Sequence, residues 1–200
     1  MLEATELECE RGGRTLFRSL SFALAAGDLL RVAGLNGSGK TSLLRILCGL
    51  LSPTKGEVRW RQTPIRALRE EYSRELVYLG HAPAVKDDLT PSENLAIACR
   101  LMGSEPHGEA LAWALSAFAV PDLPVRKLSQ GQRRRAALAR LLMSEAVPLW
   151  LLDEPFAALD TAAASYTEEL IERHLAAGGS VVYTTHQRTG IDSRARMVQL

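Results

Sequence analysis

The chain has 200 residues, of which 46% are hydrophobic and 24% charged, as in an ordinary globular protein of one domain. The formal net charge of +1 gives no reason to expect a nucleic acid as partner. No apolar run reaches the roughly 18 residues that a membrane-spanning helix needs, and the acidic N-terminus lacks the apolar core of a signal peptide. We therefore expect neither export nor membrane insertion, and any work at a membrane would need other chains to span it.

The first element that the sequence predicts clearly is a buried strand at Leu29–Ala33, a short apolar run. A glycine-rich segment follows it, and residues Thr41–Gly49 then show the apolar spacing of a helix that ends at a glycine. The glycine-rich segment would thus join the end of a strand to the start of a helix.

This segment fits the phosphate-binding pattern G-x-x-x-x-G-K-[ST]. Its residues are Gly34, Leu35, Asn36, Gly37, Ser38, Gly39, Lys40 and Thr41, and Ser42 follows as a helix residue near the phosphates. In such a loop the backbone N–H groups and the positive end of the helix dipole point at phosphate oxygens. Lys40 could reach the β- and γ-phosphates, and the Thr41 hydroxyl could ligate Mg²⁺. The alternative is a glycine-rich turn without a ligand, and the register of Lys40 and Thr41 argues against it.

Three further apolar runs predict buried strands, at residues 76–79, 149–152 and 181–184. Because the runs are continuous rather than alternating and are interleaved with helices, they predict an α/β fold with a parallel sheet covered on both faces. Between about residues 85 and 145 the chain is predicted to be mostly helical. We expect a single domain over residues 1–200, with this helical subdomain inserted between strands of the core.

Three helices are expected in the inserted stretch. The first begins at Pro91, because Thr90-Pro91-Ser92-Glu93 has the pattern of a capping box with proline at the first helical position. The second covers residues 106–120 and the third residues 130–144. The third contains the basic run Arg133-Arg134-Arg135, which we interpret as a solvated helix face.

The predicted strand at residues 149–152 ends in two carboxylates, Asp153 and Glu154. A parallel sheet presents ligands at the carboxyl ends of its strands, which would bring Asp153 close to the phosphates. Asp153 is predicted to hold Mg²⁺, and Glu154 to orient and polarise an attacking water. An apolar run followed by two acidic residues is weak evidence by itself, but it becomes strong beside a phosphate-binding loop.

A second candidate phosphate site lies at Leu128-Ser129-Gln130-Gly131-Gln132, just before the third helix. Its serine hydroxyl and free backbone N–H groups could bind a phosphate. One nucleotide does not need two such sites in one subunit, whereas a head-to-tail dimer does, with each ATP between the Lys40 loop of one copy and the Ser129 loop of the other. The alternative is that Ser129 only caps the helix.

Taken together, these segments resemble the ABC ATPase family. The phosphate loop, residues 128–132, residues 152–155, residues 158–160 and His186 occur in the family's order and spacing over essentially the whole chain. The resemblance implies a P-loop core with N-terminal antiparallel strands, ATP and Mg²⁺ as cofactors, and a homodimer that works beneath integral membrane subunits. It also implies a peripheral position on the cytoplasmic face of the bacterial inner membrane.

The resemblance also implies roles for single residues. Ser129 and Gly131, with Gln132 beside them, would contact the γ-phosphate across the dimer, and Asp160 would communicate between the two sites. His186 would sense the γ-phosphate beside Glu154. The implied catalytic residues are therefore Glu154, His186 and Lys40.

The sequence departs from the family at two places. Where the family has a glutamine at the junction into the helical subdomain, this chain has Ala82 with His81 beside it. Either His81 substitutes for the glutamine or a water fills the gap. The aromatic residue that stacks on adenine is also absent near residues 10–13, where Arg11 could stack its guanidinium instead or be an ordinary solvated arginine.

Within the family, the chain resembles the haem exporter ATP-binding subunits of cytochrome c maturation. The segments that carry this resemblance are residues 7–17, 78–81, 85–90, 153–156 and 184–187, together with the short length. It implies that ATP drives either haem delivery to the periplasm or release of a haem-loaded chaperone there.

Three alternatives remain at the level of sequence. The chain could serve another cargo. It could be a non-transport ABC ATPase acting on DNA or ribosomes, although only 113 positions without heptads separate Lys40 from Asp153. It could also be a regulatory module that binds ATP without turnover, although the presence of both Glu154 and His186 argues against that.

Overall fold

The computed structural model describes residues 1–200, which form nine strands and seven α-helices. The strands are β1 (Leu2–Arg11), β2 (Arg14–Leu24), β3 (Leu29–Ala33), β4 (Lys55–Trp60), β5 (Thr63–Pro64), β6 (Leu76–Leu79), β7 (Leu149–Asp153), β8 (Ser180–Thr184) and β9 (Arg196–Gln199). The helices are α1 (Lys40–Leu47), α2 (Ile65–Leu68), α3 (Glu70–Arg74), α4 (Pro91–Leu101), α5 (Gly108–Ala117), α6 (Gln130–Leu142) and α7 (Thr161–Ala176), with a 3₁₀ turn at Val125–Lys127.

The central sheet is parallel, with the strand order β6-β7-β8-β3-β9. Its inner strands are covered on both faces, which explains why their sequences are continuously apolar. In β7, Leu149 and Leu151 pack with α1 and the N-terminal strands, whereas Trp150 and Leu152 pack with α7 and the helices that precede β7. The predicted α/β fold with a parallel sheet is confirmed.

A second, antiparallel sheet has the order β2-β1-β4-β5. Leu2, Leu7 and Trp60 of this sheet are buried in one cluster with Leu43 and Leu44 of α1. Helix α1 is therefore held between the two sheets, and this position fixes the loop that precedes it. The expected N-terminal antiparallel strands are confirmed.

Helices α4, α5 and α6 lie in sequence between the neighbouring strands β6 and β7. The capping box at the start of α4 is present, since the backbone N–H of Glu93 donates to Thr90 Oγ1 at 3.3 Å and the backbone N–H of Thr90 donates to Glu93 Oε2 at 2.8 Å. Helix α5 ends earlier than expected, at Ala117, because Ala119 adopts a left-handed φ of 48°. None of the helices has both the length and the hydropathy that crossing a membrane requires.

The core on the α7 side contains a buried histidine that stacks on a tryptophan. His174 is 3% exposed and stacks on Trp150, with ring centroids 3.7 Å apart and planes inclined by 5°. Neither imidazole nitrogen has a hydrogen-bond partner. Burial lowers the pKa of His174 to about 4, against a smaller opposing effect of the nearby backbone of Glu145, Pro148 and Ser180. The folded protein therefore keeps this ring neutral where an unfolded chain would protonate it.

We expect the stability of the protein to fall as the pH drops from about 6.5, the pKa of an unfolded histidine, to about 4. Only the unfolded state binds a proton at His174 in this window, and the loss at its lower end is about 3 kcal/mol. Urea unfolding at several pH values measures this loss of unfolding free energy. His174→Phe keeps an aromatic ring against Trp150 and should make the unfolding free energy less dependent on pH; an unchanged dependence would contradict the assignment.

Candidate phosphate and nucleotide site

The predicted phosphate loop connects β3 to α1 and curls tightly. Gly37 and Gly39 have φ values of 79° and 108°, in the region that favours glycine. A Cβ at Gly39 would also lie 3.0 Å from Cβ of Leu16 in β2, so the loop lies close against that strand. The Nζ of Lys40 donates to the carbonyls of Gly34 at 2.8 Å and Leu35 at 3.1 Å. The ammonium is thereby held inside the ring of the loop, beside the N-terminus of α1.

Asp153, at the carboxyl end of β7, faces this loop and is 2% exposed. Its Oδ2 accepts a hydrogen bond from the Thr41 hydroxyl at 2.8 Å, and its Oδ1 accepts one from the Thr184 hydroxyl at 2.8 Å. Thr41 and Asp153 are thus in contact, as expected for two ligands of one ion. No group of three or more His, Cys, Asp or Glu side chains could hold a metal alone. The pair fits Mg²⁺, which takes one or two protein oxygens and completes its shell with phosphates and water.

Glu154 follows with a left-handed φ of 52°. Its backbone N–H donates to Thr184 Oγ1 at 2.9 Å. Its Oε1 lies 3.4 Å from Nε2 of His186 and is buried without a hydrogen-bond partner. Glu154 and His186 both line one cavity, and the Glu154 side chain is 15% exposed, so its carboxylate can accept a proton from a water there and His186 can contact the same water or a phosphate.

These residues surround a cavity of about 690 Å³, within the range of roughly 300–1,000 Å³ that small-molecule sites occupy. The side chains and backbone that line it come from Leu16, Asn36, Gly37, Gly39, Lys40, Thr41, Ser42, His81, Asp153, Glu154, Ala157, His186 and Gln187. His81 therefore reaches the cavity, whereas Ala82 and Arg11 do not. Leu16 is the only large apolar side chain in the lining, so an adenine here would meet an aliphatic surface.

Some of the residues predicted for the site lie outside this cavity. Gly34, Leu35 and Ser38 belong to the loop but do not line the cavity, and the side chain of Leu35 is 83% exposed. Ser129 and Gln132 form a capping box at the start of α6, with bonds of 2.9 and 3.2 Å. The N-cap interpretation of Ser129 therefore fits the geometry, and a shared site across a dimer stays a prediction.

Gly131 and Asp160 also lie away from the cavity of their own chain. A Cβ at Gly131 would stand 2.8 Å from the carbonyl oxygen of Ala158, so this glycine allows the start of α6 to approach the segment after Glu154. Asp160 caps α7 by accepting from the N–H of Ala163 at 2.8 Å, and it lies 3.7 Å from Arg135.

The interpretation of Arg133–Arg135 as a solvated face is wrong for Arg134. This side chain is 4% exposed and donates hydrogen bonds to three backbone carbonyls. Burial lowers the pKa of its guanidinium, and the charges of Asp153 and Glu154 oppose that shift. Arg134 is buried because the start of α6 lies against the segments at the ends of β6 and β7, whose carbonyls accept from its guanidinium.

Two residues that support the site, Thr184 and Arg31, belong to no sequence motif. The Thr184 hydroxyl donates to Asp153 and accepts from the backbone N–H of Glu154. The sequence signal for this role was its position at the end of an apolar run, in the strand that pairs with the Asp153 strand. Arg31 of β3 is 2.7 Å from Asp192 and donates to the carbonyl of Thr185 at 3.4 Å, which anchors the segment that carries His186. The pKa of Asp192 is below its usual value. Burial raises it, but hydrogen bonds from Thr189 and Tyr183 and the charge of Arg31 together lower it by more.

Comparison with known proteins agrees with this geometry. Residues 17–157 match the family model described as ABC transporter. The cytochrome c biogenesis ATP-binding export protein CcmA of Aromatoleum aromaticum is 53% identical over 94% of this chain and 89% of the relative. The protein of the same name from Escherichia coli K12 is 46% identical over 100% of this chain and 96% of the relative.

Solved structures show the same fold. An ATP-binding subunit of an ABC transporter superposes with a TM-score of 0.87 at 23% identity, covering 100% of this chain and 85% of the other. A dimeric ATP-binding cassette in a post-hydrolysis state, bound to ADP and Pi, gives 0.85 at 22% identity, covering 100% and 94%. The chain belongs to the ABC transporter family and is one of its ATP-hydrolysing subunits.

Proposed function

We propose that the chain is the ATPase subunit of a membrane complex for haem export, or for release of a haem-loaded chaperone, in c-type cytochrome biogenesis. The observation that carries this proposal is the 46–53% identity to cytochrome c biogenesis ATP-binding export proteins over at least 94% of the chain. The phosphate loop, Asp153, Glu154 and His186 around one cavity supply the chemistry that such a subunit needs.

In the proposed reaction, a water attacks the γ-phosphorus of ATP, the bond to the β-phosphate oxygen breaks, and ADP and inorganic phosphate leave. Glu154 orients the water and takes its proton, which its position in the lining of the cavity supports. Lys40 and the N–H groups of the loop hold the β- and γ-phosphates. His186, 3.4 Å from Glu154, would sense the γ-phosphate beside that carboxylate.

We propose that Thr41 and Asp153 hold Mg²⁺, as their 2.8 Å contact and their position on the cavity support. The bound ion would neutralise charge on the phosphate oxygens. Gly34, Leu35, Asn36, Gly37, Ser38, Gly39 and Ser42 complete the proposed nucleotide site of this chain.

A homodimer is proposed to complete the site. Ser129, Gly131 and Gln132 lie together at the N-terminus of α6 but away from the cavity of their own chain, where a second copy could present its nucleotide to them. Asp160, with its side chain 61% exposed beside Arg135, is placed to communicate between the two sites. ATP would close this dimer and hydrolysis would reopen it.

The membrane-spanning part of the complex is proposed to consist of separate subunits. The chain would bind them from the cytoplasmic face of the inner membrane, and the helical subdomain at about residues 85–145 would transmit the closure of the dimer. The word "export" in the names of the relatives supports such an assembly.

The test is complementation in a bacterium whose own gene for this chain is deleted. We expect the deletion to abolish c-type cytochromes while b-type cytochromes remain, and the wild-type chain to restore them. A tagged chain purified from detergent-solubilised membranes should carry integral membrane subunits, and the haem absorbance of that preparation tests the cargo. Unchanged c-type cytochromes in the deletion strain would favour an ABC subunit for another substrate.

A further inference from the structure

Arg134 is a buried cation in the second turn of α6, beside the proposed catalytic site. Arg134 is buried, with 4% of the residue exposed, whereas the neighbouring Arg133 has 32% of its side chain exposed and pairs with Asp87 at 3.1 Å. Taking a guanidinium out of water is costly unless its donors are used. The Nε of Arg134 is buried without a partner, so the bonds made by Nη1 and Nη2 are the ones that offset this cost.

Three backbone carbonyls accept from Arg134. Its Nη1 donates to Gly80 at 2.9 Å, and its Nη2 donates to Asp153 and to Glu154, both at 2.6 Å. Gly80 directly follows β6 and Asp153 ends β7, so the guanidinium lies across the ends of two neighbouring strands. Two nitrogens of one planar fork serve this set, whereas an ammonium would have to reach all three carbonyls from a single nitrogen.

Two of these bonds fix the backbone of Glu154. Its left-handed φ of 52° turns the carbonyls on both sides of its Cα toward the same Nη2. Two convergent carbonyl dipoles repel each other unless a cation lies between them. With its N–H held by Thr184 at 2.9 Å, Glu154 is constrained at three backbone points, and these determine where its carboxylate points.

The same helix begins at the residues proposed to meet the second nucleotide. Ser129 caps α6, and Gly131 lies so close to the carbonyl of Ala158 that a Cβ would stand 2.8 Å from it. Because a helix moves as a rigid unit over one or two turns, a shift of its N-terminus carries Arg134 with it.

We propose that Arg134 is a positioning residue that holds Glu154 in its catalytic orientation and ties that orientation to the N-terminus of α6. Arg134 acts through backbone carbonyls and does not touch the substrate. The inference rests on the proposed function, in which Glu154 accepts the proton of the attacking water.

The test is Arg134→Lys, in the full chain assembled with its membrane partners. Lysine keeps the charge but cannot serve the three carbonyls together. We expect kcat to fall about 10- to 100-fold, as for a misplacement of about 1 Å, while KM for ATP stays within about threefold because ground-state binding is untouched. The matched control is Arg140→Lys, on the same helix, whose guanidinium lies 3.5 Å from the sulfur of Met102 and makes no hydrogen bond to Gly80, Asp153 or Glu154; its kcat should stay near wild type.

A double variant separates positioning from general stability. In a Glu154→Gln background, adding Arg134→Lys should not lower the residual turnover further, because no catalytic base remains to be positioned. An equal loss in both backgrounds, or a single variant with wild-type kcat, would overturn the inference. If Arg134→Lys does not fold, as judged by thermal unfolding, Arg134→Gln removes the buried charge and is measured in its place.

The two claims can fail separately. If Glu154→Gln alone kept wild-type turnover, the proposed role of Glu154 would be wrong and the inference would fall with it. If Glu154→Gln lost turnover and Arg134→Lys did not, only the inference would fall.

Discussion

Glu154→Gln is expected to reduce ATP turnover by about 10²- to 10⁴-fold, the contribution of general base catalysis. Glutamine has nearly the same shape, so the backbone bonds to Arg134 and Thr184 should persist. It cannot accept the proton of the attacking water. Nucleotide binding should survive, because Lys40 and the loop are unchanged. Phosphate release measures the loss, and binding of a fluorescent ATP analogue measures what is retained.

The same variant tests the dimer. With hydrolysis blocked, the ATP-bound closed state should accumulate, so size-exclusion chromatography with ATP and Mg²⁺ should show twice the mass of the nucleotide-free chain. Glu145→Gln is the control, since Glu145 pairs only with the exposed Arg173 at 3.2 Å; its turnover should be unchanged. Wild-type turnover in Glu154→Gln would contradict the mechanism, and a monomer at saturating ATP would contradict the shared site.

The parts of the site that the sequence predicts are those in which short segments carry the chemistry. The loop at residues 34–41 needs glycines, a lysine and a threonine at fixed spacing, because backbone N–H groups must point at phosphates. Asp153 and Glu154 follow an apolar strand, and the carboxyl ends of parallel strands meet at one edge. Local geometry therefore places both sets, and the structure brings them to one cavity.

The parts that the sequence does not predict depend on contacts between distant positions. Arg134 looks like one of three solvated arginines until the packing of α6 on the strand ends is known. Arg31 and Asp192 are 161 positions apart, and no spacing rule connects them. For Thr184 the signal existed but was weak, because threonine at a strand end is common for other reasons. Each of these residues holds in place a segment that carries a proposed catalytic residue, so the contacts that support the site are mainly what the sequence does not predict.

Lys40→Met is the second change from which we expect a large effect, and it should differ from Glu154→Gln in kind. Methionine has a similar length but no charge, so the bonds to the carbonyls of Gly34 and Leu35 and the contacts to the phosphates are lost together. Hydrogen bonds to charged groups contribute about 1.5–3 kcal/mol each. Two phosphate contacts thus predict an affinity loss of about 10²- to 10⁴-fold, with turnover lost as well.

Isothermal titration with ATP measures the affinity of Lys40→Met, and Lys55→Met is the control, because Lys55 lies on β4, is 73% exposed and pairs with Glu8. Thermal unfolding checks that the loop still folds without its internal lysine. If Lys40→Met bound ATP as tightly as wild type but did not turn it over, the ammonium would act only on the transition state. Ground-state binding of ATP would then come from the loop N–H groups and the α1 dipole without Lys40. The backbone of the site would determine the affinity for ATP, and its side chains would determine the rate of hydrolysis.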